Sequence, residues 1–164
     1  TYAVLMDDGV EWGRLNAEDV NIDRESDRTV GIMKQNYLRL AQALGNEGKM
    51  DSVVAVLDRG LEFFPHEKIV FDYFMLPWAD NYFRAGETEK GEEVLTMITD
   101  RYREDLAYYT SLSSGFARMY NNQIDESLAV IQRGSQMARE YKLTELSDEL
   151  DEVLMNNIGL MERR

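Results

Sequence analysis

A ten-residue string, Asp51-Ser-Val-Val-Ala-Val-Leu-Asp-Arg-Gly60, recurs as Asp125-Glu-Ser-Leu-Ala-Val-Ile-Gln-Arg-Gly134, an offset of 74 residues. Half of that offset, 37 residues, places a third copy at Thr88-Glu-Lys-Gly-Glu-Glu-Val-Leu-Thr-Met-Ile98. A period near 37 residues is the length of one pair of helices. Such a pair cannot bury its apolar face alone, so repetition at this period predicts hairpins stacked on their neighbours.

Within the first unit Tyr37, Leu40, Ala41, Leu44, Val53, Leu57, Gly60 and Pro65 follow the tetratricopeptide spacing of small and bulky positions, with Val53 larger than usual. The second unit repeats it with Met75, Trp78, Ala79, Tyr82, Gly91, Leu95 and Ile98, and Arg103 stands where proline is expected. The third keeps Ser127, Ile131 and Gly134 on its second helix, whereas Ser111, Ser114, Gly115 and Arg118 match its first helix poorly. A small residue on each helix lets two backbones approach while bulky residues fill the gaps between units. Glycine follows an apolar helix end in Gly45-Asn-Glu-Gly-Lys49 and in Ala85-Gly-Glu-Thr-Glu89, the signature of a helix stop and restart.

The pattern predicts helices over 27–45, 50–63, 69–85, 88–103, 105–120, 124–141 and 144–158. Leu143, Leu146, Leu150, Val153, Leu154 and Ile158 give the last one an apolar stripe, Thr144 can cap it, and Asp148, Glu149, Asp151 and Glu152 suit an outward face that closes a stack. Residues 1–26 fit no repeat. Their anchors Val4, Leu5, Met6, Trp12 and Leu15 predict an extended arm lying on the first helices, ahead of a helical domain over 27–164. The expected fold class is all-α: a tetratricopeptide-like right-handed superhelix of about three helix pairs, with an N-terminal arm and a C-terminal capping helix.

Composition narrows the function. Against 31 Asp and Glu stand 18 Lys and Arg, a net charge of −13, so no basic surplus exists to displace phosphate counterions or to hold an anionic membrane surface. No nucleic-acid partner is expected. The absence of cysteine removes disulfides, thiolate metal sites and cysteine nucleophiles together. The purest apolar run is Val53 to Leu57, far short of the roughly 20 residues of a membrane span. A start at Thr1, with no signal peptide, reads as a piece of a longer protein.

Beyond the repeat, Phe64-Pro-His-Glu-Lys68, Asp72-Tyr-Phe-Met-Leu-Pro77 and Tyr82-Phe-Arg-Ala-Gly86 carry a more particular likeness, joined by Glu11-Trp-Gly13, Val20-Asn-Ile-Asp23 and Asn36-Tyr-Leu-Arg-Leu-Ala-Gln-Ala-Leu44. Over most of residues 6–140 the chain resembles the C-terminal soluble region of an uncharacterised family of bacterial multi-pass membrane proteins. That family is commonest in Bacteroidetes-type bacteria and is distantly similar to protein O-mannosyltransferases. The resemblance implies a domain that follows membrane spans and contacts the membrane only through them. It implies the periplasmic side of the inner membrane, with the cytoplasmic side left open. Any transferase chemistry would belong to the spans, and none of the family's catalytic residues falls on this sequence.

His66 is the single histidine, and without a second imidazole or a thiol it reads as a structural turn residue bonding a nearby helix end. Asn21, Asp23, Glu25 and Asp27 alternate like a calcium loop, but Ser26 and Ile32 stand where glycine and the bidentate glutamate are required; Asp23 or Ser26 as a helix cap is the simpler reading. Asp7-Asp8-Gly9 reads as a turn, and Glu92-Glu93 as a solvated helix face. No catalytic, cofactor or metal residue is assigned, and the fragment is expected not to be an enzyme.

Repeat alignment places Gln35, Leu38 and Gln42 on a concave face, followed by Tyr73, Leu76, Asp80, Phe83 and Arg84, then Tyr109, Leu112, Phe116, Met119 and Tyr120. From these, Tyr73, Leu76, Asp80, Phe83, Arg84, Tyr109 and Phe116 are the expected partner-binding groove. Tyr and Phe offer large contact area at small entropic cost, which suits a protein or peptide, its own membrane domain included. Two alternatives stay open: packing of these rings beneath the arm or last helix, and a glycan or polypeptide subsite of a membrane glycosyltransferase-like enzyme.

Overall fold

A computed structural model describes residues 2–6, 23–66, 68–157 and 159. The regular elements among them are all helical: α1 (Tyr2–Met6), α2 (Arg24–Asn46), α3 (Met50–Phe63), α4 (Leu76–Arg84), α5 (Thr88–Ser111), α6 (Ser114–Ala117), α7 (Asn121–Glu140) and α8 (Thr144–Asn156). Two 3₁₀ turns, Tyr73–Met75 and Arg118–Tyr120, lead into α4 and α7. Among the described residues no helix is long and apolar enough to cross a membrane. The chain forms two compact units, Thr1–Phe71 with Pro77–Gly91, and Asp72–Leu76 with Glu92–Arg164.

In the first unit the Asp23 side chain accepts from the Ser26 N–H at 2.7 Å, so the aspartate is the cap of α2, and residues 24–26 are helix rather than arm. Residues 2–6 are a helical turn and not extended: Leu5 is buried, and its carbonyl accepts from the buried Tyr37 hydroxyl at 3.0 Å. The rest of the expected arm, Asp7-Asp8-Gly9 included, lies outside the described residues. Helix α2 stops through a left-handed Gly48, with Lys49 N–H reaching back to the Leu44 carbonyl and Gly48 N–H to that of Gly45. Gly86 ends α4 in the same way.

Burial follows the repeat positions here. Tyr37, Ala41, Leu44, Val53, Leu57, Gly60, Ala79, Tyr82 and Gly91 are buried, and Leu40 is half-buried. A Cβ on Gly60 would overlap the Trp78 ring and sit 3.3 Å from Tyr37; on Gly91 it would meet the Phe83 ring at 2.6 Å. Three helices are tied at Asp58, whose carboxylate accepts from the Tyr82 hydroxyl at 2.8 Å and pairs with Lys90 at 2.7 Å.

Helix α5, which enters the second unit at Glu92, runs unbroken for 24 residues, so the expected stop after 103 and restart at 105 do not occur. Arg103 lacks the ring and missing N–H that would end a helix there. The expected helix 105–120 is instead the end of α5, a break at 112–113, the four-residue α6 and a 3₁₀ turn. Ser111, Gly115 and Arg118, the poor matches of the third unit, are exposed, whereas Ser127, Ile131 and Gly134 are buried. Helix α7 packs against α8, and a Cβ on Gly134 would stand 2.6 Å from Thr99 of α5 and 3.5 Å from Leu150 of α8.

The turn between α7 and α8 places Lys142, a non-glycine residue, in left-handed backbone (φ 63°), with Leu143 N–H bonded to the Ala138 carbonyl at 2.8 Å. Thr144 is the first residue of α8, and that helix start carries no side-chain cap. Leu146 and Leu150 of the apolar stripe are buried; Ile158 lies outside the described residues. Asp148, Glu149 and Glu152 are exposed. Asp151 is not simply solvated: its two oxygens accept from the Arg139 guanidinium at 2.9 Å each, and Ser135 donates to one of them.

Candidate functional site

The second unit carries an aromatic surface built on one face of α5. Tyr102, Asp105 and Tyr109 recur at three- and four-residue steps, which aligns them along that face over about 10 Å. Opposite Tyr102, residues 72–76 form a tight turn: Asp72 Oδ1 accepts from the Phe74 N–H at 3.0 Å, and its carbonyl from the Met75 N–H at 2.9 Å. Met75 and Leu76 are buried and hold the turn, which leaves the Tyr73 and Phe74 side chains 44% and 51% exposed. Their rings lie 4.0 Å apart at 32°.

Tyr102 locks this turn. Its hydroxyl accepts from the Tyr73 N–H at 3.2 Å and donates to Glu126 Oε1 at 2.8 Å. Burial, together with the hydrogen bond to the Glu126 carboxylate, pushes the hydroxyl far above the usual tyrosine range, so it remains a proton donor at any physiological pH. Arg101 lies 5.0 Å from the same ring and 3.6 Å from Asp105. One turn further along, Tyr109 stacks on Tyr120 at 4.9 Å, and burial followed by the Asp105 charge raises its hydroxyl too. Beside Tyr120, Phe116 and Met119 are 63% and 74% exposed.

Of the groove residues expected from sequence, the second unit thus presents Tyr73 and Phe116 at the surface and Tyr109 half-buried, but it buries Leu76. Asp80, Phe83 and Arg84 belong to the first unit. There Arg84 is exposed and 3.9 Å from Asp80, while Phe83 is buried against Gly91. Leu76 and Phe83 are therefore packing residues and not groove lining. Phe74, absent from that expectation, is one of the exposed rings; its place beside Tyr73 in an apolar run was visible, but not the turn that points both outward.

Two depressions lie on the surface of the described residues. In the first unit a cleft of about 200 Å³ is lined by Gln42, Asn46, Met50, Val53, Asn81 and Arg84; Asn81 is committed to the Pro77 carbonyl at 2.7 Å. In the second, a groove of about 560 Å³ runs between α5 and α8 over Leu106, Ala107 and Val153, with Arg103 already held by Asp100 at 3.0 Å and Glu149 at 3.4 Å. His66 is structural: its Nδ1 accepts from the Phe71 N–H at 3.1 Å, in the loop rather than at a helix end. Among the described residues no group of three His, Asp or Glu could hold a metal ion. Comparison of the chain with protein-family models, with curated proteins and with solved structures gives no match.

Proposed function

We propose that this chain is a non-catalytic protein-interaction module built of tetratricopeptide-like helix pairs in a right-handed superhelix, and that the aromatic surface of its second unit is the docking face. The observation that carries the reading is the exposure of Tyr73, Phe74, Phe116 and Met119 on a turn and short helix fixed from beneath by Tyr102 and Tyr109. Rigid, solvent-facing rings give contact area with little loss of freedom, which is what a binding surface needs and a fold does not. The superhelix is supported by the glycines that close the repeated string, each pressed against another helix: a Cβ on Gly60 would overlap Trp78 of α4, and one on Gly134 would stand 2.6 Å from Thr99 of α5.

The wider setting rests on the residue strings alone: the soluble C-terminal part of a bacterial multi-pass membrane protein, periplasmic, whose partner is a protein or peptide, its own membrane domain among the candidates. A second reading, a glycan-stacking subsite of a glycosyltransferase-like enzyme, is favoured by the surface exposure of Tyr73 and Phe74. Selection of binders from a displayed peptide library tests the first reading. Capture should fall at least about tenfold in Phe74→Ala and Phe116→Ala while the thermal melt stays in place. Unchanged capture in both overturns it. Saturable glycan binding lost in Tyr73→Ala would favour the second reading, and Phe83→Ala is unsuited to that test because it opens the core. Turnover by the chain itself would overturn the non-catalytic assignment.

A further inference from the structure

The structure assigns the Tyr73–Phe74 face a ligand class: we propose that it seats an arginine or lysine side chain of a protein partner, lying on the exposed side of the paired rings with Asp72 and Glu126 as countercharges. This rests on the interaction-module reading and adds the chemistry of its partner. Among the described residues the same device recurs internally. Arg59 lies 4.6 Å from the Phe63 ring and 2.9 Å from Glu62; Lys90 lies 5.9 Å from the Tyr82 ring and 2.7 Å from Asp58; Arg101 lies 5.0 Å from the Tyr102 ring and 3.6 Å from Asp105. In each, a ring face supplies the quadrupole and a carboxylate the countercharge.

At Tyr73 and Phe74 both ingredients are on the surface, and among the described residues no cation uses them. Asp72 is bonded to the Phe74 N–H, and Glu126 to the Tyr102 hydroxyl, which in turn receives the Tyr73 N–H. These bonds fix Asp72 at the Phe74 backbone and Glu126 one hydroxyl away from the Tyr73 backbone, and among the described residues neither carboxylate is ion-paired. The surroundings reinforce the preference. The described residues of the second unit include 14 Asp and Glu against 6 Lys and Arg, a net charge of −8. A cationic partner is drawn in by that field, and an anionic one is repelled.

The test titrates the full chain with fluorescent nona-arginine and with its neutral nona-citrulline counterpart. Phe74→Ala, which changes no charge, and Glu126→Gln, which keeps an acceptor for Tyr102, should each weaken nona-arginine binding about fivefold or more. Glu152→Gln removes the same charge from the exposed face of α8 and should weaken it less than about twofold. Nona-citrulline should bind at least about tenfold more weakly than nona-arginine. Equal affinity in wild type and Phe74→Ala, or equal losses in Glu126→Gln and Glu152→Gln, overturns the cation seat and leaves only diffuse charge attraction. The two proposals fail separately. Library peptides whose capture needs Phe74 but which show no excess of Lys or Arg overturn the cation seat alone, whereas capture indifferent to Phe74 and Phe116 overturns the docking face as well.

Discussion

Tyr102 shows how much one side chain decides. Its hydroxyl is the only link described between the Tyr73 backbone and Glu126, and it works only while protonated. The sign of its pH effect follows from the raised folded-state value: above the ordinary tyrosine pKa of 10.0 the unfolded chain releases a proton that folded Tyr102 keeps. Its contribution is therefore complete below pH 10.0 and is lost as pH rises beyond it. Chemical denaturation at a series of alkaline pH values should show a shallower fall for Tyr102→Phe than for wild type, the residual slope coming from Tyr37 and Tyr109, which are raised the same way. At neutral pH the same variant should lose about 1–3 kcal/mol, because the Tyr73 N–H loses its acceptor. Lys142 makes the opposite case. It occupies a backbone region that glycine enters freely, so Lys142→Gly should raise stability by about 0.5–1 kcal/mol, read as a higher melting temperature.

At the scale of helices, the glycines of the repeated string are contact points rather than flexible joints. A methyl group on Gly60 enters the Trp78 ring, and one on Gly134 crowds Thr99, so Gly60→Ala and Gly134→Ala should each cost about 1–3 kcal/mol by denaturant titration. Gly115→Ala, with open space around it, should cost nothing measurable. The contrast separates what was legible in the sequence from what was not. Small-against-bulky spacing marks a buried position wherever the repeat is intact, and it located the cores around Tyr37, Leu57, Leu95 and Ile131. Where the pattern decayed, at Ser111 to Arg118, the helix boundary was misplaced, because nothing between Glu92 and Leu112 interrupts a helix once it has started. Partners far apart in sequence, such as Arg139 with Asp151 or Tyr82 with Asp58, left no periodic trace at all, since they depend on how helices register after folding. Of the groove, the sequence showed which residues were aromatic, while the 72–76 turn decided that Tyr73 faces outward and helix packing against Gly91 that Phe83 does not.

For the molecule as a whole, the acid surplus is the dominant long-range term. A net charge of −13 repels itself in the compact state, and most of the ion pairs that relieve it are exposed and individually weak. The melting temperature should therefore rise as salt is increased from about 10 mM to about 200 mM, as screening shortens the range of that repulsion. A flat response would mean that the acidic residues are already compensated locally.

The chain passes from one compact unit to the other at 71/72, 76/77 and 91/92, and the last two passages fall inside α4 and α5. Neither unit can be obtained by a single cut in the gene: every such boundary would cut into a helix or remove residues 72–76 from the Tyr102 hydroxyl that holds them. Whoever wishes to graft the aromatic face onto another scaffold must transplant residues 72–76 as a separate insert.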